Sequence, residues 1–165
     1  MPAPDLELLI HAARAAGEVA CRYAPDRTNT WDKPEGAGPV TEADLAVNDT
    51  LHDILQGARP DYGWLSEESE DTPARLTRDT IFVVDPIDGT RSFIEGSNTW
   101  AHALAVVENG LPRAAVVYLP KRDMLYAAAI GQGATLNGSP ITTRQTAALN
   151  TAQLLSVKHN FKPEF

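Results

Sequence analysis

The sequence predicts an α+β fold in which two N-terminal helices pack on one face of a mostly antiparallel sheet. Three observations predict it: helical apolar spacing before Pro60, short strand-like runs after it, and hairpin-type turn signals between the later runs. Leu6, Leu9, Ile10, Ala13, Gly17 and Ala20 recur at helical spacing, with Asp5 as the candidate cap and an expected end near Pro25. The stretch Trp31 to Pro39 reads as a loop. Thr41 opens a second helix, because Thr-x-x-Asp is a weaker form of the capping box, and Val47, Leu51, Ile54, Leu55 and Ala58 form its apolar stripe.

Strands are then predicted over Tyr62 to Leu65 and Thr80 to Val84, separated by an acidic loop carrying Glu67, Glu68, Glu70 and Asp71. His102 to Val107, Ala114 to Leu119 and Met124 to Ala129 read as an antiparallel meander joined by Asn109-Gly110 and by Pro120-Lys121-Arg122-Asp123. Gly131-Gln132-Gly133-Ala134 follows a strand, but no helix pattern opens after it. It therefore reads as a hairpin connection, not a dinucleotide loop. Asn137-Gly138 closes the patterned region. Beyond Ile141 the chain is polar apart from Leu154 to Val157, and it ends on the charged stretch Lys158 to Phe165. One domain over 1–141, followed by a separate stretch over 142–165, is the expected organisation.

Composition narrows the function classes. The chain has 165 residues, of which 43% are hydrophobic, enough for one domain with a real core. Its formal charge of -8, with no Lys/Arg-rich run, argues against a nucleic-acid polymer as partner. An acidic protein acting on an anionic substrate needs a positive group at its site, and bound Mg²⁺ would supply one. Cys21 is the single cysteine, so no intrachain disulfide and no Cys-based zinc site can form, which favours a reducing compartment. No apolar run approaches the ~18 residues of a membrane span, and the N-terminus lacks a charged-then-apolar signal pattern. A cytoplasmic protein without a membrane partner is the expectation.

The most informative segment is Asp85-Pro86-Ile87-Asp88-Gly89-Thr90, entered from the apolar run Ile81 to Val84. Strand side chains alternate, so equal-facing carboxylates normally lie two apart; a bend at Pro86 would bring Asp85 and Asp88 together. Close carboxylates repel until they share a proton or a cation, and all-oxygen donors select Mg²⁺, Mn²⁺ or Ca²⁺ over zinc. The Ile87 carbonyl, without a strand partner in such a bend, is a further candidate ligand. Gly89 would let a phosphate approach the backbone, with the amides of Gly89 and Thr90 as donors. Glu67 and Glu68 end the preceding strand-like run, where a carboxylate could complete a metal shell. Asp44 either serves the start of the second helix or bonds Thr90 to orient an attacking water. Lys33 lies in a loop, and His11, His52, His102 and His159 have no mutual metal-ligand spacing and read as structural.

Four motifs together resemble the inositol monophosphatase family of Mg²⁺-dependent, lithium-sensitive phosphatases. They are Val40-Thr41-Glu42-Ala43-Asp44, Ser66-Glu67-Glu68-Ser69, Asp85 to Thr90 with Phe93, and Gly131 to Ala134 with Asn137-Gly138, in the family's order from about Leu6 to about Ile141. The resemblance implies the first half of a layered αβαβα fold. It assigns Glu67, Asp85 and the Ile87 carbonyl to a first metal, and Asp85 and Asp88 to a second. It makes Asp44 and Thr90 the pair that orients the water, places Glu67 beside a third metal, and gives the phosphate to the amides of Gly89 and Thr90. Lys33 and Glu68 are accessory. The implied reaction is two-metal hydrolysis of a small phosphate ester, with Mg²⁺, or Mn²⁺, as cofactor, and full-length members are expected to be homodimers. Arg91-Ser92-Phe93-Ile94 and Trp64 to Glu68 are more similar to bacterial 3′(2′),5′-bisphosphate nucleotidase-like members, making adenosine 3′,5′-bisphosphate a candidate substrate beside inositol monophosphate.

Family members carry a second half that supplies another metal-binding Asp from a Trp-Asp motif and most of the leaving-group pocket, and nothing after Ile141 resembles it. The expectation is that 142–165 is a tail or the start of a truncated second half. The alternative to an active phosphomonoesterase is then a catalytically impaired remnant that keeps a metal or anion site. A haloacid-dehalogenase-type phosphatase is disfavoured by the two residues between Asp85 and Asp88 and by the absence of a following βαβ alternation.

Overall fold

The computed structural model describes residues 4–34 and 38–144. The expectations for Leu154 to Val157, Lys158 to Phe165 and His159 lie outside the described residues.

Helix α1 spans Asp5–Ala20 and buries Leu8, Leu9, Ala12, Ala13, Ala16, Gly17 and Ala20. Most of these residues are small, so the helix backbone lies close to the sheet: a Cβ on Gly17 would stand 2.7 Å from the Tyr118 ring and 3.2 Å from Pro120. Asp5 is not the cap. Pro4 holds that position without a side-chain bond, and the Asp5 carboxylate instead accepts from Arg59 Nη2 at 3.0 Å and the Tyr62 hydroxyl at 3.1 Å, tying α1 to the end of the second helix. The helix also stops at Ala20, short of Pro25, which opens a separate 3-10 turn over Pro25–Arg27.

The stretch read as a loop contains parts of a short hairpin. Strands β1 (Thr30–Asp32) and β2 (Pro39–Thr41) pair antiparallel, Trp31 opposite Val40. Helix α2 (Glu42–Ala58) follows with a complete capping box. Thr41 Oγ1 accepts from the amides of Ala43 and Asp44, and Asp44 Oδ2 accepts from the Thr41 amide at 2.9 Å. Val47, Leu51 and Leu55 are buried as expected, joined by Ala43, Asp44 and Asn48, whereas Ala58 is exposed.

The main sheet has seven strands in sequential order: β3 (Gly63–Ser66), β4 (Thr80–Asp88), β5 (Ala101–Glu108), β6 (Leu111–Leu119), β7 (Met124–Ala129), β8 (Gly133–Leu136) and β9 (Ser139–Ile141). Only β3 and β4 run parallel; every other pair is antiparallel. The glycine-containing run at Gly131 to Ala134 turns β7 back into β8, as a hairpin connection should. Alternation decides the faces. Phe82, Val84, Leu104, Val106, Val116, Tyr118 and Leu125 form a core with α1 and α2, and His102 is buried on the same face. Val83, Ala103, Ala105, Ala115, Val117 and Ala128 face the other way, where the described residues place no helix.

Strand β4 continues through the motif. Asp85 stands opposite Ala103 and Asp88 opposite Ala101, so three steps along β4 match two along β5. This bulge resets the alternation and turns both carboxylates to one side. A five-residue helix, α3 (Thr90–Ile94), begins immediately afterwards.

Candidate functional site

The parallel pair β3/β4 ends at one edge, and the predicted residues gather there. The Glu67 amide extends the ladder by bonding the Val84 carbonyl at 3.1 Å, which sets Glu67 beside the end of β4. Glu67 and Asp88 both lie near enough to act on the charge of Asp85. Asp85 Oδ1 is buried and has no hydrogen-bond partner. Burial first, then the charges of Glu67 and Asp88, pushes the Asp85 carboxyl up to about 7.

The sequence left two readings open for Asp44, and the structure realises both contacts. Its Oδ2 serves the cap, accepting from the Thr41 hydroxyl at 2.6 Å, while Oδ1 is 3.3 Å from Thr90 Oγ1. Burial raises its pKa against these hydrogen bonds. Thr90 Oγ1 is also 3.2 Å from the Ile87 carbonyl, so one hydroxyl proton faces two acceptors. Gly89 caps α3 with φ +92°, a left-handed conformation that favours glycine, and a Cβ there would meet Trp100 Cα at 3.5 Å.

Lys33 is tied to the cluster more closely than a loop lysine need be. Its ammonium donates to Glu67 and to Glu68, each at 2.7 Å, and only 15% of its side chain is exposed. Burial alone would lower the Lys33 pKa; the two carboxylate bonds outweigh it and raise the value. The buried Glu68 carboxyl is raised by desolvation in spite of Lys33.

Two supports were not legible as site residues. Asn48, one turn after Asp44 on α2, accepts from Ser66 Oγ at 2.7 Å and donates to Ser69 Oγ at 3.2 Å, and Trp64 Nε1 also bonds Ser69 at 3.2 Å. This network clamps both ends of the Glu67-Glu68 turn; a polar residue inside the α2 apolar stripe was its one sequence signal. His102 lies on the core face of β5, its Nδ1 bonded to the Pro86 carbonyl and its Nε2 unpartnered. Burial pushes this imidazole down to about 4, so it is neutral.

The donors suit a hard cation. They are all oxygen, they repel one another, and one buried carboxylate oxygen lacks a partner. Among the described residues, however, no three His, Cys, Asp or Glu side chains form a ready cage for an ion.

Residues 1–163 match the model of the inositol monophosphatase family. The chain belongs to that family. The match extends past Ile141 and takes in 142–163. Among inositol monophosphatase relatives, the chain is 34% identical over 138 residues to a histidinol-phosphatase of Chlorobaculum parvum, covering 84% of this chain and 52% of the relative. It is 36% identical over 137 residues to the Nus factor SuhB of Escherichia coli K12, covering 82% and 51%. The solved Thermotoga maritima IMPase superposes with a TM-score of 0.78 at 30% identity, over 88% of this chain and 56% of that one. The chain thus spans about half the length of the curated relatives it matches, and its α+β layers are those of the family's first half.

Proposed function

We propose that this chain carries the metal- and phosphate-binding half of a divalent-metal-dependent phosphomonoesterase. The observation that carries the reading is the gathering of Asp44, Glu67, Asp85 and Asp88 around the ends of β3 and β4, with a buried, unpartnered oxygen on Asp85.

Glu67, Asp85, Asp88 and the Ile87 carbonyl would hold Mg²⁺, or Mn²⁺. Such ions, when bound, lower the pKa of a coordinated water and neutralise charge on a departing oxygen. Thr90, its proton engaged by Asp44, has a lone pair free to accept from the attacking water and so orient it. The amides of Gly89 and Thr90 would donate to the phosphate. Lys33 holds Glu67 and Glu68 in place through its two 2.7 Å contacts. The substrate is a small phosphate ester. Adenosine 3′,5′-bisphosphate and inositol monophosphate remain candidates from the motifs, and the histidinol-phosphatase relatives add histidinol phosphate. Cytoplasmic location, lithium sensitivity and homodimer formation by the whole protein belong to the same proposal. No described helix is long and apolar enough to cross a membrane.

Phosphate release is the test, measured on these three esters with Mg²⁺, with chelator and with millimolar Li⁺. We expect Mg²⁺-dependent release that Li⁺ inhibits and that Asp85→Asn lowers by a factor of 10² or more. Release that ignores both Mg²⁺ and Asp85→Asn would sink the reading. A second reading is a catalytically impaired chain that keeps a metal or anion site, since the buried, unpartnered Asp85 oxygen calls for a bound ion but not for turnover. Mn²⁺ calorimetry showing binding where no phosphate is released would support it.

A further inference from the structure

We infer that His102 is a positioning residue that sets the bulge at Pro86–Ile87 and thereby aims the metal-binding groups of the motif. The inference rests on the metal reading proposed above and adds to it a residue from the opposite side of the sheet.

His102 alternates with Leu104 and Val106 on the face of β5 that meets the helices, and its ring is fully buried. An imidazole there sacrifices apolar packing and must gain a hydrogen bond in return. Its place in the register shows which one. Ala103 pairs with Asp85 and Ala101 with Asp88, leaving His102 alone opposite the two bulged residues, Pro86 and Ile87. Pro86 has no N–H to continue the ladder, and its carbonyl turns into the core, where His102 Nδ1 meets it. A carbonyl only accepts, so Nδ1 carries the proton and Nε2 is the bare nitrogen. That nitrogen is the one left without a partner.

Packing fixes the ring. Trp100 stands edge-on at 5.6 Å between centroids and Tyr118 lies at 6.4 Å, while Trp100 also packs edge-on to Phe93 of α3 at 5.2 Å. With the Pro86 carbonyl pinned on the buried side, the next peptide is constrained as well. The Ile87 carbonyl is turned toward α3, 3.2 Å from Thr90 Oγ1, and Asp85 and Asp88 emerge on one side. An aliphatic residue at position 102 would leave the Pro86 carbonyl buried and unpaired, and the bulge would lose the bond that selects its geometry.

The test is Mn²⁺ calorimetry on the full chain, paired with thermal melts, for wild type, His102→Leu and His102→Asn. Leucine restores apolar packing and removes the donor. Asparagine packs worse but places an amide nitrogen on Cγ, where Nδ1 was. Losing a supporting hydrogen bond near a metal site typically costs 10–100-fold in affinity. We expect His102→Leu to weaken Mn²⁺ binding at least tenfold and His102→Asn to recover most of it, although asparagine is the poorer packer. A purely structural role would order the variants by melting temperature alone. Equal Mn²⁺ affinity in His102→Leu and wild type, or asparagine no better than leucine, overturns the inference and leaves the metal reading intact. Absence of Mn²⁺ binding by wild type removes both. Should His102→Leu fail to fold, imidazole ¹⁵N shifts of the wild type decide: the Nδ1–H neutral tautomer is expected, and an Nε2–H tautomer overturns the role.

Discussion

At Asp85, burial and like charge act together. The folded chain holds this proton up to about 7, against an ordinary value of 3.8, and Asp44 and Glu68 are displaced in the same direction by burial. Between about pH 4 and 7 the chelated, folded chain therefore binds more protons at these carboxyls than the unfolded chain does, so their contribution to stability falls as pH rises. His102 has the opposite sign. Its imidazole is held down to about 4 against 6.5, so its contribution is lost as pH falls below 6.5. A divalent ion needs Asp85 as a carboxylate and cancels the cost of ionising it, while the His102 contribution is common to both states. The gap in melting temperature between Mg²⁺-saturated and chelated protein should accordingly widen from pH 5 to about pH 7.5 and then level. Paired thermal melts across that range check it, and a gap independent of pH would mean that Asp85 is not a ligand.

Secondary elements carry a second kind of constraint, the close seating of α1 on the sheet. Gly17→Ala gains about 1 kcal/mol of helix propensity. It also forces a methyl to 2.7 Å from the Tyr118 ring and 3.2 Å from Pro120, and overpacking of this sort costs about 1–3 kcal/mol. The ring is hemmed in by Arg14 and His102, so it cannot swing away freely. Net destabilisation of about 1 kcal/mol is the expected outcome, read from a denaturation midpoint; a more stable variant would show that α1 can slide. Elements of this length were legible in the sequence because their period repeats. Helix α2 announced itself through Thr41, Asp44 and the Val47, Leu51, Leu55 stripe, and the β5 to β7 meander through apolar runs between turn residues. Strands β1, β2 and β9 have three residues each, too few for a period to register. At the site, Asp85, Asp88 and Thr90 were readable because they are neighbours in sequence. The Asn48–Ser66–Ser69 clamp and the His102–Pro86 bond depend on strand order and register, which no local pattern encodes. Asp5 was misread for a related reason: its carboxylate is claimed by Arg59 and Tyr62, partners brought to it by the turn after α2.

The whole molecule is asymmetric about its sheet. One face is sealed by α1 and α2. The other presents Val83, Ala103, Ala105, Ala115, Val117, Tyr126 and Ala128 with no described helix over them, and Val117 and Ile141 are each 39% exposed. Small side chains make this face flat, so a second layer could approach closely, and apolar surface of this kind drives association when nothing covers it. A polypeptide of these 165 residues alone should therefore self-associate. Light scattering after size-exclusion chromatography should give a mass that rises with concentration. Val117→Lys, on the open face, should shift it toward the monomer with a melting temperature close to wild type, because Val117 gives little to the sealed core. The effect must also be face-specific: a lysine at the exposed Leu76, in the turn between β3 and β4, should leave the association unchanged. A monomeric wild type at all concentrations, or equal dissociation by both substitutions, would exclude the open sheet face as the surface through which copies meet.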